Sequence, residues 1–151
     1  MLSPKLIMSP IDFSEPSDEA LKTALELAAL YQAEICLVHV VPAIPKLPSP
    51  IAIFHEREYE EELLKNAQTR LEAIARTASE RGLKARIEVG IANEVGAELL
   101  RIAEEHKVDL IVISTHGMTG WHKLAFGSVA EKVVRLAACP VLVLRAGKAS
   151  E

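Results

Sequence analysis

Short continuous apolar runs alternate along the chain with longer segments in which apolar residues recur every three or four positions. The runs Leu6 to Ile11, Ile35 to Val41, Ala85 to Val89, Val108 to Ser114 and Val141 to Leu144 have the length and β-branched content of buried strands. Between the first two, Leu21, Ala24, Leu25, Ala28 and Tyr31 fall on one helical face. Leu63, Ala67, Leu71, Ile74 and Ala78 form a second apolar stripe within the segment Glu56 to Gly82. Val95, Leu99, Ile102 and His106 mark a third helix, and Val129, Val133 and Leu136 a fourth over Ser128 to Ala138. The predicted order is βαβαβαβαβ.

Polar and special residues punctuate these elements. Ser14, two residues ahead of Pro16, has the chemistry of an N-cap, and Asn93 offers the same to the third helix. Ser128 and Glu131 have the Ser-x-x-Glu spacing of a capping box, so the fourth helix is expected to begin at Ser128. Gly82 sits where a C-cap belongs, and Gly96 costs the third helix a little stability. The acids from Glu56 to Glu62 read as the solvated start of the second helix, favoured by its dipole. Pro42 to Pro50, with four prolines, reads as a surface loop.

Strict alternation of strands and helices predicts right-handed crossovers and a parallel sheet with helices on both faces, a doubly wound α/β fold. The five strands fit one sheet, and with no internal duplication or low-complexity tract residues 1–151 are expected to form a single domain.

Composition narrows the function classes. Half of the 151 residues are apolar and a quarter charged, the profile of one globular domain with an ordinary core. The net charge of −4 comes from 21 acids and 17 basic residues spread along the chain, which argues against nucleic-acid binding. The apolar runs are far shorter than the roughly 20 residues of a membrane span, and the N-terminus does not resemble a signal peptide. A cytoplasmic protein is expected, with Cys36 and Cys139 as free, buried thiols.

In an open parallel sheet, ligands bind beyond the carboxyl ends of the strands where the strand order reverses. Those ends deliver Ser9-Pro10-Ile11-Asp12, His39-Val40-Val41, Gly90, and the loop Ser114 to Gly120, which continues to Gly127-Ser128. Glycines before a helix N-terminus let backbone N–H groups approach a phosphate. Neither G-x-x-x-x-G-K-[ST] nor G-x-G-x-x-G occurs, and the paired acids of a phospho-accepting receiver are missing. Thr115, His116 and Ser128 lack an acid at triad spacing, which leaves a hydrolase as the weakest reading. His39 reads as a hydrogen-bonded core residue, while His116, His122 and Lys123 add donor character to the loop and Trp121 and Phe126 could anchor a partner or lid. The strand Val141 to Leu144 lies at a sheet edge, where dimerisation would cover its unpaired backbone groups.

The pattern Ser114-x-x-Gly117-(nine residues)-Gly127-Ser128 resembles the Gly-x-x-Gly-(nine residues)-Gly-Ser/Thr motif of ATP-binding universal stress proteins. The resemblance runs over the whole chain, from Ser9-Pro10-Ile11-Asp12-Phe13-Ser14 through His39-Val40-Val41 to Pro140-Val141-Leu142-Val143-Leu144. It implies the adenine nucleotide alpha hydrolase-like arrangement, strand order 3-2-1-4-5, and an ATP site that a divalent cation such as Mg²⁺ would assist. Asp12 and the backbone around Val40 would hold adenine and ribose, and Gly117, Gly127, Ser128 and Val129 the phosphates, with Pro10, Ile11, Ile113 and Ser114 completing the site. It further implies a homodimer paired through the last strand and a nucleotide-dependent stress-response sensor or regulator, with any ATP hydrolysis slow; the client protein is left open. A serine stands at the first motif glycine, and serine enters positive φ at greater cost. That departure supports the alternative, a dimeric interaction module that binds no nucleotide.

Overall fold

The computed structural model describes residues 3–45, 50–116 and 126–145. Five strands, β1 (Leu6–Pro10), β2 (Glu34–Pro42), β3 (Ala85–Ala92), β4 (Leu110–Ser114) and β5 (Val141–Leu144), form one parallel sheet in the order β3-β2-β1-β4-β5. Four helices alternate with them: α1 (Glu15–Tyr31), α2 (Pro50–Glu80), α3 (Val95–Glu105) and α4 (Ser128–Leu136). The chain steps outward from β1 to β3, then crosses back beyond β1 to β4. The reversal lies between β1 and β4, as the family resemblance implies.

Successive strand residues face opposite sides of a sheet, and the central strands are apolar at nearly every position because both sides are covered. On one side Ile7, Ile11, Ile35, Leu37 and Val112 pack with Leu21, Ala24 and Ala28 of α1 and Leu71 of α2. On the other, Met8, Cys36, Val38, Ile111 and Ile113 pack with Leu99 and Ile102 of α3 and Ala130 and Val133 of α4. Ser9 is fully buried near the end of β1, and its hydroxyl has no hydrogen-bond partner among the described residues.

Local expectations and structure part at several element ends. Ser14 does cap α1, its hydroxyl accepting from the Ser17 N–H at 3.3 Å. Helix α2 starts at Pro50, six residues before the expected Glu56, because proline is tolerated in a first turn whose N–H groups have no intrahelical partner. The acids Glu56 to Glu62 therefore lie beyond the first turn, which holds no acid, and the dipole argument for them fails. Pro42 ends β2 instead of opening a loop, residues 43–45 follow as irregular chain, and residues 46–49 lie outside the described residues. Gly82 closes α2 with φ +80°, a conformation that favours glycine.

Glu94, not Asn93, occupies the N-cap of α3, and its side chain makes no capping bond. Gly127 occupies the N-cap of α4, so Ser128 is the first helical residue and the expected capping box is not formed. The reason is tertiary: the Gly127 N–H donates to the Thr115 carbonyl at 2.7 Å, which keeps Gly127 extended until the helix begins. Tyr31 and Leu136, expected on buried faces, are 38% and 54% exposed because each ends its helix beyond the edge of the packed core. Strand β3 runs three residues past the expected Val89, since it stays paired with β2 as far as Ala92.

Cys36 and Cys139 are free thiols. Burial pushes the Cys36 thiol up to about 12, whereas Cys139 is only half-buried. Across the β2–β3 edge, Arg86 grips Glu34 in a bidentate pair, Nε at 2.8 Å and Nη2 at 2.7 Å from its two carboxylate oxygens. These hydrogen bonds hold the Glu34 carboxyl below its ordinary value of 4.5.

Two outcomes are expected from chemical unfolding. Ser9→Ala removes a buried hydroxyl with no partner and should raise stability by about 1 kcal/mol in urea titrations. The folded-state pKa of Glu34 is depressed, so its contribution is complete above the ordinary 4.5 and is lost as pH falls through the folded value. Glu34→Gln should accordingly lower stability at neutral pH and flatten the acid limb of the stability–pH curve below pH 4.5.

Candidate functional site

The β1–β2 ladder runs from Leu6–Glu34 to Pro10–Val38, but the β1–β4 ladder pairs only Ile7 with Leu110 and Met8 with Ile111. Beyond that point the two strands supply the walls of a cavity of about 340 Å³ at the carboxyl edge of the sheet. Pro10, Ile11, Asp12, Val40, Ile113, Ser114, Gly127, Ser128 and Val129 all line it. Nine of the ten residues singled out from the sequence thus meet around one space; the tenth, Gly117, lies outside the described residues, as do Gly120, Trp121, His122 and Lys123.

The cavity has a chemically divided lining. Val38, Val40, Val95, Leu99, Ile113 and Val129 supply apolar surface, while Asp12, Ser17, Ser114, Thr115 and Ser128 supply polar groups. A concave, mainly apolar space with a few convergent polar groups is the usual form of a small-molecule site.

The loop after β1 sets Asp12. One carboxylate oxygen of Asp12 accepts from the Ser14 N–H at 3.0 Å and from the Ser14 hydroxyl at 2.5 Å, an Asx-type turn that closes the loop onto the start of α1. Ser17, buried in the first turn of α1, donates its hydroxyl to the Ser14 carbonyl at 3.1 Å and accepts from the Asp12 N–H at 3.4 Å. His39 donates from Nδ1 to the Ile11 carbonyl at 2.6 Å, but it is half-buried and lines the cavity, so only the hydrogen-bonded part of its reading as a core residue holds.

At the other end, the start of α4 faces the same space: Gly127, Ser128, Val129 and Ala130 all line it, and the N-cap glycine supplies no side-chain cap. The first backbone N–H groups of a helix carry partial positive charge and lack intrahelical partners. Gly127 has an ordinary negative φ of −63°, so its role is close approach: a Cβ there would stand 3.1 Å from the Thr115 carbonyl oxygen. Ser114, at the motif's first position, has no left-handed backbone, and its hydroxyl donates to the His116 carbonyl at 2.9 Å. No backbone cost separates it from glycine here.

A family model described as the universal stress protein family matches residues 4–145. The chain belongs to the universal stress protein family. It is 37% identical over 147 residues to universal stress protein MJ0531 of Methanocaldococcus jannaschii, covering 95% of this chain and 84% of that protein. The solved structure of MJ0577 from the same organism superposes with a TM-score of 0.81 at 30% identity, covering 99% of this chain and all of that one. The Archaeoglobus fulgidus universal stress protein solved with dAMP has a TM-score of 0.60 at 21% identity, covering 95% of this chain and 98% of that one. Another family member has been solved with cAMP, with a TM-score of 0.64 at 19% identity over 95% of this chain and 98% of that one. At those identities the likeness concerns the fold alone.

Sequence reasoning missed several lining residues whose signals are legible in retrospect. Val38 stands two residues before Val40 and shares its strand face, and Val95 and Leu99 are one helical turn apart on α3. Thr115 and Ala130 simply adjoin residues already singled out. Ser17 and Pro42 carried no such signal, because only the folded β1–α1 turn and the full length of β2 bring them to the cavity.

Gly127→Ala should destabilise the protein by about 1 kcal/mol or more in urea unfolding. The carbonyl that the new methyl would meet is already bonded to the residue-127 N–H and cannot withdraw without breaking that bond.

Proposed function

We propose that the cavity binds an adenine nucleotide, with ATP as the ligand, and that the protein is a nucleotide-dependent stress-response regulator with at most slow ATP hydrolysis. The observation that carries this reading is one space bounded by an apolar wall, an aspartate and a helix N-terminus whose N-cap is a glycine. Each suits one part of the ligand. The wall of Val38, Val40, Val95 and Leu99 accepts the flat, largely apolar base, and backbone groups around Val40 can read its edge. Asp12 accepts hydrogen bonds from ribose hydroxyls. The N–H groups at the start of α4, with the Ser128 hydroxyl, meet phosphate oxygens, and Gly127 allows close backbone approach. Pro10, Ile11, Ile113, Ser114 and Val129 complete the walls.

The binding of dAMP and of cAMP by structurally similar proteins supports an adenine nucleotide as the ligand class. Mg²⁺ is carried in by the phosphates, whose oxygens and water suit a hard cation. No group of three metal-ligating side chains occurs among the described residues to hold a cation independently.

The reading extends to assembly and location. The β5 edge, with Leu142 36% exposed, is the surface through which two copies pair, and the protein works in the cytoplasm. No helix among the described residues is long and apolar enough to cross a membrane.

Ser128→Glu separates nucleotide binding from folding. An acid in the first turn of α4 favours the helix dipole but repels phosphate. The variant should keep or raise its melting temperature and lose ATP binding by at least about tenfold, a difference of roughly 1.4 kcal/mol, in isothermal titration with Mg²⁺ present. A wild-type protein that releases no nucleotide on denaturation and gives no binding heat would overturn the proposal and favour the nucleotide-free interaction module.

A further inference from the structure

Next to the cavity, three side chains from three different elements are stacked in series. The guanidinium carbon of Arg70, on the exposed side of α2, lies 3.7 Å from the centroid of the Phe13 ring. The Phe13 ring in turn meets the imidazole of His39, on β2, with centroids 4.7 Å apart and planes inclined by 37°. The same imidazole donates from Nδ1 to the Ile11 carbonyl, and the Ile11 N–H donates to the Val38 carbonyl at 2.7 Å. Both polar groups of Ile11 are thereby tied to β2.

What this stack holds is a strained turn. Phe13 has φ +63°, in the left-handed region that a bulky residue without a short polar side chain rarely enters. Such a conformation persists where its surroundings over-determine it, and it occurs preferentially at functional sites. Here the surroundings are the Arg70 cation on the Phe13 ring, the His39 ring beside it, and the Asp12–Ser14 hydrogen bonds that span it in the chain. Asp12 stands between the tied Ile11 and the left-handed Phe13, so the direction of its carboxylate follows from that turn.

We propose that Arg70, Phe13 and His39 are positioning residues for Asp12. They fix the turn that aims the Asp12 carboxylate at the ribose hydroxyls, which makes Arg70 on α2 a determinant of sugar specificity without touching the ligand. The inference rests on the nucleotide reading given above and adds to it a residue 58 positions away in the chain whose charge acts through two aromatic rings.

The test compares binding of ATP and of 2′,3′-dideoxy-ATP, which lacks both ribose hydroxyls, by calorimetry in the full chain. Variants are Arg70→Met, Arg70→Lys, Asp12→Asn and the double variant Asp12→Asn with Arg70→Met. Arg70 is exposed, and circular dichroism establishes that each variant is folded. A cation on an exposed aromatic face contributes an amount equivalent to roughly two- to fivefold in affinity. Arg70→Met should therefore weaken ATP by about that factor and leave dideoxy-ATP unchanged, Arg70→Lys should recover most of the loss, and Arg70→Met should have no further effect once Asp12 is Asn. A wild type that prefers ATP to the dideoxy form while Arg70→Met keeps that preference overturns this inference and leaves the nucleotide reading standing. Equal loss for both ligands, or the same loss in the Asp12→Asn background, assigns Arg70 a merely structural role and also overturns it. A wild type that binds neither ligand overturns the nucleotide reading and this inference with it.

Discussion

The ladder between β1 and β4 ends after Met8–Ile111, and everything at the candidate site follows from that separation. A parallel sheet requires each strand to be reached by a crossover, and crossovers of one hand place helices on opposite faces according to the direction in which the chain moves along the sheet. Moving outward through β2 and β3, the chain lays α1 and α2 on one face; moving outward through β4 and β5, it lays α3 and α4 on the other. At the junction the helix that follows β1 and the helix that follows β4 lie on opposite faces. The space left there is lined by the strand ends together with Ser17 of α1, Val95 and Leu99 of α3 and the first turn of α4.

The two turns that flank that space are each fixed by specific hydrogen bonds. On one side, the β1–α1 turn is closed by the Asp12–Ser14 bonds and anchored through Ile11 to β2. On the other, the hydrogen bond from Gly127 to the Thr115 carbonyl docks the start of α4 against the end of β4. That bond explains both why a glycine stands at residue 127 and why Ser128 does not cap the helix. The N-terminus of α4 gives up a side-chain cap and faces the cavity instead. Such an arrangement lowers helix stability slightly and leaves donors available to an anion.

The third helix shows a related compromise. Gly96 weakens an isolated helix, but a Cβ there would stand 3.1 Å from the Lys132 side chain of α4, so the small residue lets the two helices approach. Lys132 also pairs with Glu94 at the start of α3. These contacts secure α3 and α4 to each other beneath Val95, Leu99 and Val129, which form the apolar part of the cavity.

The sequence by itself determined the alternation of strands and helices, the two-sided burial of the sheet and most of the residues that line the cavity. Those features depend on periodicity and on a topological rule, both of which act over short stretches or over the order of elements alone. Only the tertiary structure decided where α4 begins and that Arg70, Phe13 and His39 meet beside the Asp12 turn. Each of these depends on a contact between segments far apart in the chain, such as Gly127 on Thr115 or Arg70 on Phe13. Local propensity has no knowledge of such contacts, because the partner is brought within reach only when the sheet closes and the helices pack on its two faces.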